Sequence, residues 1–282
     1  MGAPAPSALA AVGRIILFIL VAAVAMAIFG GLALLAGRGA DALGEPLDFW
    51  LQLAGSLVAT AVLLRWIDRR RWHEIGLGRS QARPMLLLEG WLLGMAAIAI
   101  PALLLVMVGW LRFEPMADGS WWGTALDASL LLVPAALLEE VLVRGYPFDV
   151  LRRRWGGVVA MVATSVVFGL LHIWNAGATP LSIALVTLAG FFLGGVVLVT
   201  GSVWAAFTAH LAWNWTMAVL LRTAVSGIPF APADYRLADA GPDWATGGTW
   251  GPEGGIGAAA GMVGGIAYLI SRRRRRQELV DR

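Results

Sequence analysis

The stretch 137-LLEEVLVRGY-146 places Glu139, Glu140 and Arg144 at the end of an apolar run. An ionisable side chain at the centre of a bilayer helix costs about 2.5–3.5 kcal/mol on the mildest scale. Two adjacent carboxylates facing lipid would cost roughly twice that. If the run crosses a membrane, these residues must face a protein interior or a wet cavity, or take up a proton. The reading of the whole chain turns on whether it does.

Composition says that it does. Of 282 residues, 59% are hydrophobic and only 14% are charged, against about 25% charged in soluble domains. The chain is therefore of the membrane class. It has no cysteine, which excludes disulfides, thiolate metal sites and a cysteine nucleophile. All 21 basic residues other than histidine are arginine, and they cluster. Each cluster flanks an apolar run, so the positive-inside rule explains them better than nucleic-acid binding does.

Eight apolar runs are long enough to cross a bilayer: about 13–36, 49–67, 85–110, 121–143, 156–173, 181–200, 203–221 and 255–271. The fold expected is all-α, a single polytopic domain over 1–282 with about eight transmembrane helices around an intramembrane polar site. Its motif-bearing core spans about 121–221. One set of connections is rich in arginine: 65-RWIDRRRWHEIGLGRSQARP-84, Arg152–Arg154 and the tail from Arg272. The other set, 37–48, 111–120 and 222–254, is acidic or mixed. With eight spans the sets alternate, which puts both termini in the cytoplasm and the protein in the cytoplasmic membrane. The link Thr200–Ser202 carries no charge and tests nothing. The first apolar core, from Ile15 past Phe29, is long for a signal peptide and reads as an uncleaved helix. The segment 222–254, rich in Gly, Pro, Asp and Trp, reads as an extracytoplasmic loop, and 272–282 as a basic cytoplasmic tail against lipid headgroups.

Three spans carry polar pairs at one-turn spacing. Glu140 and Arg144 share a helix face and can pair, while Glu139 is rotated away from them. Phe168 and His172 follow in the fifth span, and His210 and Asn214 in the seventh. If the fourth and fifth spans form a hairpin turning at Trp155-Gly156, Glu139 and His172 each lie about 24 Å from the turn and stand level. This requires the fourth helix to run on past Arg144, with a kink at Pro147. The polar 144-RGYPFDVLRRR-154 then projects from the bilayer and leaves the site open toward the cytoplasm.

Glu140 with Arg144 reads as an ion pair that fixes packing. Glu139 has no cation on its own face, and burial raises a carboxylate's affinity for protons, which suits a general base. His172 and His210 read as functional, Asn214 as an oxyanion donor and Phe168 as the wall of a cavity. His73-Glu74 opens like HExxH, but Leu77 stands where the second histidine should be. Glu89 and Asp127 read as interfacial charges. Ser165 lies too far along its helix from His172, and neither it nor Ser202 sits in a nucleophile elbow.

Taken together, Glu139-Glu140-x-x-x-Arg144, Phe168-x-x-x-His172 and His210-x-x-x-Asn214 resemble the CPBP or Abi family. These are intramembrane CAAX proteases and bacteriocin-processing enzymes, similar to the type II CAAX prenyl endopeptidase. The motifs span 139 to 214, roughly a quarter of the chain, and 72-WHEIGLG-78 is similar to the family's amphipathic link. The resemblance implies an eight-helix bundle that hydrolyses peptide bonds within the membrane. In it Glu139 and His172 would activate water, His210 and Asn214 would hold the oxyanion, and Glu140 and Arg144 would support them. No cofactor is favoured. The alternative is zinc held by Glu139, His172 and His210, a His₂Glu set with an open position. The expected partners are membrane lipid and a peptide with a membrane-proximal cleavage site, prenylated or leader-like. Two other classes stay open: a proton-coupled transporter, for which no paired broken helices are found, and a non-catalytic immunity or scaffold protein.

Overall fold

The computed structural model describes residues 5–35, 44–116, 119–230 and 234–280. Residues 37–43 of the first expected outer connection, 117–118, 231–233 and the last two residues of the basic tail lie outside them. Among the described residues the chain is all-α apart from one short strand pair. Helices α1 (Ala8–Leu35) and α2 (Gly44–Val62) are followed by α3 (Pro84–Met107), α4 (Trp121–Glu140), α5 (Tyr146–Trp155) and α6 (Gly157–Leu171). Then come α7 (Pro180–Thr200), α8 (Val203–Trp215), the one-turn α9 (Asp243–Thr246) and α10 (Ile256–Val280).

Each expected apolar run is helical, but the runs are not equivalent. Four helices, Ala8–Leu35, Pro46–Asp68, Pro84–Met107 and Pro180–Thr200, are long and apolar enough to cross a membrane by length and composition. This makes the chain a multi-pass membrane protein. The other four runs are shorter, interrupted or charged. α6 has 15 residues. α8 passes into a π-helical segment, Thr216–Leu221, and carries His210 and Asn214. α4 passes into another, Val141–Gly145, directly after the glutamates. α10 does not stop at the basic run. It continues through the arginines to Val280, with Arg272 Nε 2.6 Å from Glu89 Oε1. The expected tail is therefore largely helix, and Glu89 is its ion-pair partner.

The packing is of the kind lipid imposes. Between apolar helices in an apolar solvent, small residues allow the close backbone approach that drives association. α3 lies against α8 through Gly90 and Gly94, where a Cβ would come within 2.2 Å of Ala205 O and 1.9 Å of Ala209 O. The outward faces keep large apolar residues such as Ile19, Leu20, Leu103 and Leu104 exposed. Two apolar cores result. One joins α3, α4, α6, α7, α8 and α10, and the other joins α1 and α2 to α5 and the link before α3.

The connections segregate by end, as their charges imply. At one end, Arg70 pairs with Asp149, Val203 N–H donates to Gly76 O at 3.0 Å, and Ser202 Oγ donates to Gln81 O at 2.8 Å. These bonds join 65–84, 144–155 and the uncharged link at 200–202. Ser202 also caps α8 by accepting from Ala205 N–H, which accounts for it without chemistry. At the other end, strand β1 (Leu111–Pro115) pairs antiparallel with β2 (Tyr235–Asp239) in the register Phe113↔Leu237. Residues 222–254 are thus not a loose loop. They hold a strand, helical turns and the buried Trp250.

The close contact of α3 with α8 yields a test. Gly94→Ala should force the two helices apart, at about 1–3 kcal/mol for overpacking. The midpoint of thermal unfolding in detergent should fall. Gly30→Ala, where a Cβ meets nothing within 4 Å, should not lower it, since alanine is the better helix former.

Candidate active site

The site starts at a bend. α4 delivers Glu139 and Glu140 in its last turn, and the π-helical segment that follows rotates the chain so that Arg144 comes back under Glu140. The break falls at Gly145, whose ψ is −120°. Pro147 stands in the first turn of α5, where its missing N–H costs nothing. It starts a helix rather than kinking one, contrary to the expectation. Tyr146 anchors α5 by stacking on Phe18, with ring centroids 5.6 Å apart, and by donating its hydroxyl to Asp68 Oδ2 at 2.7 Å. The chain turns at Gly156 and returns as α6, which gives the expected hairpin.

Glu140 and Arg144 have side chains with no solvent exposure, and Arg144 Nη1 donates to Glu140 Oε1 at 2.9 Å. The same oxygen is 3.0 Å from His210 Nδ1 of α8. The guanidinium also lies over the Phe168 ring, 4.1 Å from its centroid, and Nη2 reaches Gly190 O on α7 at 3.4 Å. Phe168 in turn packs on His172 and His210, with centroids 4.9 and 5.8 Å away. One buried ion pair thereby ties α4, α6, α7 and α8 together.

His172 is the residue that ends α6 rather than one inside it. Its Nδ1 donates to Phe168 O at 2.8 Å, which leaves Nε2 as the acceptor of the neutral ring. Glu139 points away from the ion pair, as its position on the helix requires, and is 31% exposed. Its Oε2 is 4.0 Å from His172 Nε2 and 3.9 Å from His210 Nε2. That oxygen is buried and has no protein hydrogen-bond partner. Three polar atoms from three helices therefore converge on one point.

Beside them is a cavity of about 30 Å³, room for a water or two. His172, His210, Asn214 and Phe168 line it, with an apolar wall from Val186, Phe192 and Leu193 of α7. The histidines, Asn214 and Phe168 are thus brought together as expected, with Glu139 at the histidines' Nε2 atoms but outside the cavity wall. The lining residues that escaped the sequence reading include Trp213 of α8 and, from the segment expected outside, Ser226 and Glu253. The only signal for Glu253 was its frame, 251-GPEGG-255, an acid among residues that turn the chain. No residue of the arginine-rich connections lines the cavity. A second cavity, lined by Arg144 together with His73, Glu74, Asp149 and Arg152, lies against the arginine-rich connections.

The donor types of a His₂Glu metal site are present, and each histidine has its Nδ1 engaged, as ligating histidines do. The spacing is wider than zinc requires. Ligands at about 2.0–2.1 Å around a tetrahedral ion are about 3.3 Å apart, whereas these atoms are 3.9–4.0 Å apart. Among the described residues, no group of three His, Asp or Glu is placed to hold a metal ion. Glu74 of the rejected zinc pattern accepts from Arg71 N–H at 2.8 Å and pairs with Arg70 at 3.0 Å. Its carboxyl lies below the usual range, chiefly through that backbone hydrogen bond. Ser165 is fully buried behind Gly190.

Residues 121–216 match the family model described as Type II CAAX prenyl endopeptidase Rce1-like. This is the family that the motif residues resemble. The match begins at the first residue of α4 and ends just past Asn214, so it takes in every convergent residue above except Ser226 and Glu253. No curated protein and no solved structure matches the chain. The match supports a CAAX-type intramembrane protease at the level of the family.

Removing one partner of a buried ion pair leaves the other charge uncompensated and costs about 3–5 kcal/mol. Arg144→Met should lower stability by that order. Adding Glu140→Gln should recover part of the loss, as a double-mutant cycle in detergent would show.

Proposed function

We propose that the protein is an endopeptidase that cleaves membrane-associated peptides, prenylated CAAX-like or leader-like, using a water activated by Glu139 and His172. The observation that carries the proposal is the equal approach of one Glu139 oxygen to both histidine Nε2 atoms. A water about 2.8 Å from each fits separations of 3.9–4.0 Å with angles near a right angle.

Peptide hydrolysis needs a base for that water and donors for the charge that forms on the carbonyl oxygen. Glu139 and His172 Nε2 are acceptors placed to take the water proton as its oxygen attacks the carbonyl carbon. The C–N bond then breaks, and the same proton passes to the departing amine. His210 and Asn214 stand on one face of α8 and line the same cavity. Asn214 donates to the oxyanion from its amide, and His210 joins it from Nε2 when both ring nitrogens carry protons. The apolar wall of α7 suits a lipid-like or apolar substrate segment. The metal-free route is favoured because the donor spacing is that of hydrogen bonds through a water.

The test is cleavage of a fluorogenic peptide set, including prenylated C-terminal boxes, by purified protein in detergent. Glu139→Ala should lower kcat/KM by about 10²–10⁴-fold, the usual contribution of a positioned base. A strong zinc chelator should leave the wild type unchanged. Loss of activity with chelator would point to the His₂Glu metal reading, and equal cleavage by the mutant would remove Glu139 from the mechanism.

A further inference from the structure

The segment after α8 does more than cover the cavity. Ser226 is a non-glycine residue at φ +50°, a left-handed conformation that persists only where its surroundings over-determine it. Three contacts do so. Its backbone N–H and its hydroxyl both donate to Glu253 Oε1 at 2.6 Å, and its carbonyl accepts from Asn175 Nδ2 at 2.9 Å. The other oxygen of Glu253 accepts from Trp213 Nε1–H at 2.8 Å. Glu253 is 6% exposed, and all three of its partners are donors. Among the described residues no cation is paired with it.

The positions of these partners give the network its meaning. Asn175 lies three residues after His172 in the α6–α7 link, and its N–H donates to His172 O at 3.1 Å. Trp213 lies three residues after His210, one turn along α8. The chain Asn175–Ser226–Glu253–Trp213 therefore spans from the arm that carries one histidine to the arm that carries the other. Three of its members, Ser226, Glu253 and Trp213, line the cavity. The residue after Ser226 packs closely on the same link: a Cβ on Gly227 would come within 2.0 Å of Ala176 O.

We infer that Glu253 is a positioning residue, whose acceptor-only carboxylate clamps the α6–α7 link to α8 through Ser226 and Trp213 and so holds His172 and His210 at their common distance from Glu139. A glutamine in its place keeps one acceptor but sets an N–H against an N–H, either at Trp213 or at Ser226. The role in turnover rests on the protease reading. The role in placing the imidazoles does not.

The chain has only three histidines, so the imidazole NMR signals of protein labelled with ¹⁵N-histidine in detergent can be assigned by single replacements. In Glu253→Gln the His172 and His210 signals should move while His73, which lies outside the network, stays. Adding Trp213→Phe removes the opposed indole N–H and should bring both signals part of the way back. In the peptide assay Glu253→Gln should lower kcat about 10–100-fold, the scale of an ångström-sized misplacement, with KM within about twofold, and the double variant should regain part of it. Unmoved His172 and His210 signals in Glu253→Gln would overturn the inference, whether or not any peptide is cleaved. If Glu253→Gln does not fold, Trp213→Phe and Ser226→Ala are read the same way: signals that move support the clamp, and signals that stay refute it. Moved signals without a change in kcat would overturn the catalytic part.

Discussion

The rest of the structure depends on one buried ion pair. Glu140 and Arg144 are fully out of solvent, and two such charges are tolerable in an apolar interior only if each is matched. Matching them recruits the neighbours. His210 brings α8 to the carboxylate, Phe168 brings α6 to the face of the guanidinium, and Gly190 O brings α7 to its edge. The other residues proposed for chemistry lie one residue or one helical turn away. Glu139 precedes the ion-pair glutamate, His172 is one turn beyond Phe168, and Asn214 is one turn beyond His210. The polar interior is thus one object, in which the buried ion pair and the proposed site share their neighbours.

That object has to sit in a bundle that the hydrophobic effect does not hold together in lipid. Close backbone approach takes over. α3 and α8 meet through glycines, at Ala205 and Ala209 of the helix that carries His210. The segregated connections then close each end. The strand pair β1–β2 and the ordered segment around Trp250 make the arginine-poor end a lid of packed protein, with Glu253 beneath it. The cavity is small and mostly apolar, with a few convergent polar groups, as the proposed hydrolysis would need.

Several features were legible in the sequence because each rests on a local rule. The helical runs follow from hydropathy, and the pairs 140/144, 168/172 and 210/214 follow from the helix repeat. The level placement of Glu139 and His172 follows from equal distances to Gly156. Other features were not legible, for identifiable reasons. Pro147 suggested a kink, but proline is equally at home in a first turn, and the break was taken by Gly145 after a π-helical segment that no propensity marks. Arg272 resembled part of a solvated tail because its partner, Glu89, is far away in the sequence. Glu253 was invisible because its three donors come from residues 213 and 226, and no spacing rule joins them.

By itself, then, the sequence determined the class of the protein, the helices and the identity of the polar pairs, because hydropathy and helical periodicity act within a few residues. Only the tertiary structure decided which carboxylate meets which histidine, on which side the cavity is walled, and that the segment after α8 belongs to the site. Those outcomes depend on matching buried charges and donors across helices, which is a property of the packed whole and of no single stretch.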